Sequence, residues 1–161
     1  NLLANIAGQA WRLDGDLQSF FDSTESPAVF AATYGHGLRV GLPGQTTTLR
    51  NYDFGQQVSV DISTGAESIA KSFDGHLASS RFDGEVRFQT LEPFVYAVTP
   101  ARSALVEPTG GRLIIIGARN AVLEISVRGN AVVLSLDTDG DGHFDDGQQT
   151  TWQKLTGLVP I

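Results

Sequence analysis

The stretch Asp137-Thr138-Asp139-Gly140-Asp141-Gly142-His143-Phe144-Asp145-Asp146-Gly147 holds five of the chain's 18 acidic residues. Side-chain oxygens at Asp137, Asp139 and Asp141, followed by Gly142, have the spacing that wraps a loop around a hard cation. Gly140 and Gly142 permit φ > 0, so the backbone can curl and the alternate carboxylates can converge on one point. Left empty, these carboxylates repel one another, and a divalent cation offsets that repulsion. Counting from Asp137, position 7 is His143, expected to offer its backbone carbonyl, and position 9 is Asp145. We therefore expect a structural calcium site in residues 137–148, with Asp137, Asp139, Asp141, His143, Asp145 and Asp146 as its ligands. Magnesium is disfavoured because it keeps its water in preference to entering an all-protein cage.

The loop resembles those of the EF-hand and of the thrombospondin type 3 repeat, with two departures. Position 12 is Gln148, where an EF-hand usually has a bidentate Glu, so Asp145 or Asp146 must complete the shell. The flanking segments read as strands, which leaves no helix pair for calcium to open. Both departures favour a weak structural site, with a Kd on the order of 0.1–1 mM, over a cytosolic sensor.

Other residues offer less. His36, His76 and His143 stand at no recognised zinc spacing. No Gly-x-Ser-x-Gly elbow is present, and nothing in the spacing of Glu67, Glu85, Glu92 and Glu124 selects a catalytic pair. The expectation is that the protein is not an enzyme. Phe20, Phe21, Phe30, Tyr34, Tyr52 and Phe54 could form an aromatic platform for a sugar or an apolar ligand, although burial of most of them in a core is the favoured reading.

The elements that position the acidic loop come from composition and periodicity. At 161 residues, with 41% hydrophobic and 18% charged residues, the chain fits one folded domain, 1–161. Net charge −7 and only 11 scattered Lys and Arg argue against nucleic acid and against membrane surfaces. No apolar run approaches the roughly 20 residues of a spanning helix. Without Cys there are no disulfides or thiolate metal sites, and without Met the start residue is expected to have been removed, consistent with a cleaved signal peptide.

Short runs of Val, Ile, Thr and aromatics between Gly, Asp and Asn predict an all-β fold. The expected architecture is an antiparallel meander of roughly ten strands, forming a sandwich or a partly closed barrel. Predicted strands include 28–34, 38–40, 47–54, 58–62 and 67–73, with a three-residue turn at Gly55-Gln56-Gln57. Asp74-Gly75 and Asp83-Gly84 are both predicted turns, and Phe94 to Val98 an edge strand next to Pro93. Leu123, Ile125 and Val127 alternate with polar residues, as do Val132, Leu134 and Leu136. A Gly129-Asn130 turn would set Val127 opposite Val132, Ile125 opposite Leu134 and Leu123 opposite Leu136. Asp137 then lies at the strand end, on the face opposite Leu136. A last strand is expected around Trp152.

From about Val58 to Leu155 the order of features is similar to the C-terminal part of uncharacterised proteobacterial envelope proteins and putative lipoproteins. The residues concerned are Pro108-Thr109-Gly110-Gly111, Leu113 to Ala118, Leu134 to Gly142 and Thr151-Trp152-Gln153-Lys154-Leu155. The resemblance implies an exported protein, periplasmic, outer-membrane-associated or extracellular. Together the expectations describe a calcium-stabilised binding or structural module of the bacterial cell envelope, with a protein or carbohydrate partner left open. One alternative is a small carrier with an apolar ligand in a β-barrel cavity, and a second is a hydrolase.

Overall fold

Alternating polar and apolar residues become strand through most of the chain. The computed structural model describes residues 2–6, 9–23, 28–42, 44–82, 84–98 and 107–156. Its strands are β1 (Leu2–Ile6), β2 (Gln9–Gly15), β3 (Gln18–Asp22), β4 (Ala28–Leu42), β5 (Gln45–Val60), β6 (Glu67–Ser79), β7 (Glu85–Val98), β8 (Gly110–Ile116), β9 (Val122–Arg128), β10 (Ala131–Asp137) and β11 (Asp146–Thr150). A 3₁₀ turn (Ala118–Asn120) joins β8 to β9, and one short helix, α1 (Trp152–Thr156), follows β11.

All eleven strands belong to one antiparallel sheet in the order β1-β2-β4-β5-β6-β7-β8-β9-β10-β11, with β3 beside β4. The predicted all-β meander is what forms. It is an open sheet, not closed into a barrel. No helix among the described residues is long and apolar enough to cross a membrane.

The β9–β10 hairpin has the predicted register, with Val127 opposite Val132, Ile125 opposite Leu134 and Leu123 opposite Leu136. Val127 and Val132 are buried, so the register that unites the apolar residues also builds core there. The rest of the core is aromatic. Tyr52 contacts Phe54, Phe54 contacts Phe73 and Phe88, Phe73 contacts Phe94, and Phe94 meets Trp152 edge to face at 6.1 Å. This chain of rings ties β5, β6 and β7 to α1, each tilted or edge contact adding to the area it covers.

Several predicted breaks are absent because glycine here serves close packing. Gly55 does not begin a turn: β5 runs on through it, between Ala32 and Ser72. A Cβ there would lie 2.5 Å from Ser72 Oγ. An uninterrupted strand keeps Tyr52, Phe54, Val58 and Val60 at the same parity, so it meets the requirement that suggested the turn. Gly35-His36-Gly37 likewise lies inside β4, where a Cβ on Gly35 would meet the Tyr52 hydroxyl at 2.6 Å. Asp74-Gly75 is no turn either. Gly75 has φ +148° and faces the Tyr52 backbone and the Phe88 ring inside β6, next to a register shift between Lys71 and Asp74.

Phe94 to Val98 is the end of β7, where Val95 still pairs with Gly110 of β8 while Tyr96, Ala97 and Val98 pair with β6 alone. Pro93 is tolerated because the β7–β8 register shifts between Glu92 and Val95, where no ladder donor is needed. The last strand ends at Thr150, and Trp152 opens a helix. Thr151 accounts for the change, its hydroxyl accepting the Lys154 N–H and its carbonyl the Leu155 N–H.

A second fastening holds the N-terminal third. The Asp16 carboxylate accepts the backbone N–H groups of His36 and Gly37, each at 2.8 Å, and these bonds hold its carboxyl below the usual range. The Tyr52 hydroxyl donates to the Asp16 carbonyl. Phe20, Phe21, Phe30 and Tyr34 are exposed, whereas Tyr52 is buried, so most of the six aromatics expected in the core are outside it.

Candidate metal loop

Asp137 ends β10, paired with Val122 and pointing away from the Leu136 face as expected. It is 2% exposed, the buried acidic side chain among the described residues. Its carboxylate is nonetheless satisfied: Oδ1 accepts the Gly140 N–H at 2.7 Å and Oδ2 the Gly142 N–H at 2.9 Å. Those bonds require both glycines to curl back over the strand end, with φ of +78° at Gly140 and +89° at Gly142. Gly140 also packs against the 3₁₀ turn, where a Cβ would meet the Arg119 carbonyl at 2.8 Å.

The loop repeats this side-chain-to-backbone bonding. Asp139 accepts the Asp141 N–H and Asp141 accepts the His143 N–H. The far end is closed by the Asp145 N–H donating to the Leu136 carbonyl at 2.8 Å. Asp145 Oδ2 accepts both the N–H and the hydroxyl of Thr138, and these two bonds hold its carboxyl below the ordinary carboxylate range.

The outcome is a convergence of Asp137, Asp139 and Asp145, whose ligand oxygens lie within 4.8 Å of one another. Three hard oxygens from one loop suit a hard cation rather than a soft one. Each Asp137 oxygen engages one N–H and retains a second lone pair, and Asp145 binds Thr138 through Oδ2 alone, so ligand capacity remains at both.

The carboxylates of Asp141 and Asp146 are not part of this trio. Asp141 Oδ1 accepts the His143 N–H, and the His143 residue, expected to act through its backbone carbonyl, is exposed. Asp146 starts β11 opposite Leu136 and accepts the Gly147 N–H, on the face opposite Asp137. Gln148 pairs with Leu134 and shares that face. Of the two candidates to complete the shell, Asp145 is therefore the one placed to do so. Thr138 was not singled out by spacing. Its partner lies seven residues away, and only the closure of the hairpin brings them together.

Elsewhere, Glu85 bonds to Arg50 at 2.9 Å and to the His76 ring at 3.1 Å, while Glu92 lies 3.5 Å from Arg112. A polar cavity of about 190 Å³ lies between Arg12, Asp14, Arg39, Gly41 and Thr46. No family model, curated protein or solved structure matches the chain.

Proposed function

We propose that the protein is a calcium-stabilised β-domain, exported to the bacterial cell envelope, that works as a binding or structural module rather than as a catalyst. The observation that carries the calcium reading is the buried Asp137 carboxylate. It is held by two glycine N–H groups at the point where the carboxylates of Asp139 and Asp145 converge on it. Within this reading the ion neutralises three neighbouring negative charges and ties the end of β10 to the start of β11, fixing the last hairpin. Asp145, Thr138 and the two glycines arrange the loop for it. The flanking strands offer nothing for calcium to swing open, which favours stability over signalling. The export part of this reading rests on the resemblance of the order of features between Val58 and Leu155 to envelope proteins.

An apolar carrier is less favoured, because the cavity at Arg12 and Arg39 is lined by charged and polar groups. Calorimetric titration with calcium, with and without magnesium, tests the proposal. Saturable binding with a Kd on the order of 0.1–1 mM is expected, with little competition from magnesium. Absence of saturable calcium binding at 10-fold higher concentrations, on the order of 10 mM, would overturn it.

A further inference from the structure

The polar cavity lies at the other end of the strand order from the metal loop and is formed by different residues. Register explains its shape. Arg12 of β2 pairs with Gly41 of β4, which pairs with Thr46 of β5, and two residues along, on the same face, Asp14 pairs with Arg39. Side chains of Arg12 and Thr46 therefore rise on either side of a position that has none. A Cβ on Gly41 would find only ordinary contacts with Arg12, at 3.7 and 3.8 Å, so the gap is open space and not a close approach of backbone.

Charge within the cavity is not balanced. Asp14 is claimed along its own strand by Arg12, whose Nε donates to Oδ2 at 2.6 Å. That bond leaves both terminal nitrogens of the Arg12 guanidinium available. Arg39 faces Asp14 across the strand pair, yet it forms no ion pair or side-chain hydrogen bond with any other described residue. Two guanidinium groups thus line the cavity against one carboxylate already engaged. Thr46 adds a hydroxyl, while its backbone N–H is occupied by Ser80 Oγ at 3.0 Å. The volume of about 190 Å³ is below the roughly 300–1,000 Å³ of pockets that enclose a drug-sized ligand. It suits one small group.

We propose that this cavity binds a single oxyanion group (carboxylate, sulfate or phosphate), clamped between the guanidinium forks of Arg12 and Arg39 above Gly41, with the Thr46 hydroxyl as a further donor. A planar fork matches two oxygens of such a group at once, which a lysine ammonium would not. Asp14 keeps the Arg12 fork in place through Nε and lowers the net attraction, so binding depends on geometry as well as charge.

The test uses the whole chain, labelled for ¹H–¹⁵N spectra and titrated separately with sodium sulfate, sodium acetate and inorganic phosphate. Sodium chloride holds the ionic strength constant, and a chelator removes calcium. Saturable shifts centred on Gly41, Arg39 and Thr46 are expected with at least one probe. Arg39→Gln should weaken that binding about tenfold or more, since it removes one charge-assisted fork. Gly41→Leu should abolish it by filling the gap, and Arg128→Gln should leave it unchanged. Arg39→Lys separates fork from charge, and retention of less than half the wild-type affinity is expected. The proposal is overturned if no probe gives saturable shifts. It is equally overturned if folded Arg39→Gln protein binds as wild type, or if Arg128→Gln weakens binding as much as Arg39→Gln does. Calcium binding plays no part in the readout, so either result leaves the metal loop to its own experiment.

Discussion

The Tyr52 hydroxyl donates a hydrogen bond to the Asp16 backbone carbonyl, joining the middle of β5 to the short connection between β2 and β3. Tyr52 is 2% exposed, and burial raises the pKa of its phenol above the ordinary tyrosine value, so the donor stays protonated through the neutral range. Replacing Tyr52 by Phe keeps the ring and leaves the Asp16 carbonyl without this donor. A loss of about 1–2 kcal/mol is expected from the unmade bond. Urea unfolding checks it, with the midpoint lowered and the slope unchanged.

Gly111 is a site where any side chain must collide. Its φ is +138°, and a Cβ would sit 2.6 Å from Phe94 Cδ1 and 2.8 Å from Phe94 Cα. The backbone contact cannot be relieved by a rotamer change. Gly111→Ala should cost about 2–4 kcal/mol, combining backbone strain with overpacking. For a chain of this length that corresponds to a melting temperature lower by roughly 5–15 °C. Gly129→Ala is the contrast: φ is positive there too, at +60°, but nothing lies within 4 Å of the added carbon. Its loss should be limited to strain, about 1 kcal/mol.

Acid should weaken the fold in a defined window. Asp61 is lowered to about 2, first by the Ser63 hydroxyl and then by the Ser63 N–H, and Asp16 is lowered by the His36 and Gly37 N–H groups. Groups with depressed folded pKa values stabilise above the unfolded carboxylate value near 4, and that contribution is lost as pH falls through the folded value. Asp74 has the opposite sign. Burial raises it, with Asp53 adding repulsion, so it favours the fold at low pH and loses that effect as pH rises through its folded pKa. Melting temperature measured from pH 7 downward should fall between roughly pH 4 and pH 2, and Asp61→Asn should reduce the fall. Asp74→Asn should raise the melting temperature at pH 7 and leave it unchanged at pH 3.

How much of this was legible depended on whether a feature was local. The β9–β10 register could be read because a two-residue turn and an apolar alternation agree within 14 residues, and the approach of Asp137 to Asp139 because alternate Asp residues stand at fixed offsets beside glycines. The glycines misled for a shared reason. Gly35, Gly55 and Gly75 carry the same local signal as turn glycines, but they face Tyr52, Ser72 and Phe88 on neighbouring strands. Such contacts exist only after the sheet has formed. Trp152 was expected in a last strand after the loop, and α1 arises instead where Thr151 caps a turn and Phe94 receives the ring. Within the loop, the separation of Asp145 from Asp146 followed from register. One residue of difference places them on opposite sides of the hairpin, which spacing alone left open.

The most direct test of the calcium reading is thermal unfolding of the wild type and of Asp139→Ala, each with a chelator and with calcium. Asp139 is exposed, so its removal takes a ligand without emptying the core, unlike removal of Asp137. With 10 mM calcium and a Kd of about 0.1–1 mM, linkage predicts a stabilisation of about 1.4–2.7 kcal/mol. That is a rise in melting temperature of roughly 3–10 °C for the wild type. Asp139→Ala should show no such rise. Identical melting curves for wild type with chelator and with calcium, or an equal rise in the variant, would contradict the assignment of this loop as a calcium site.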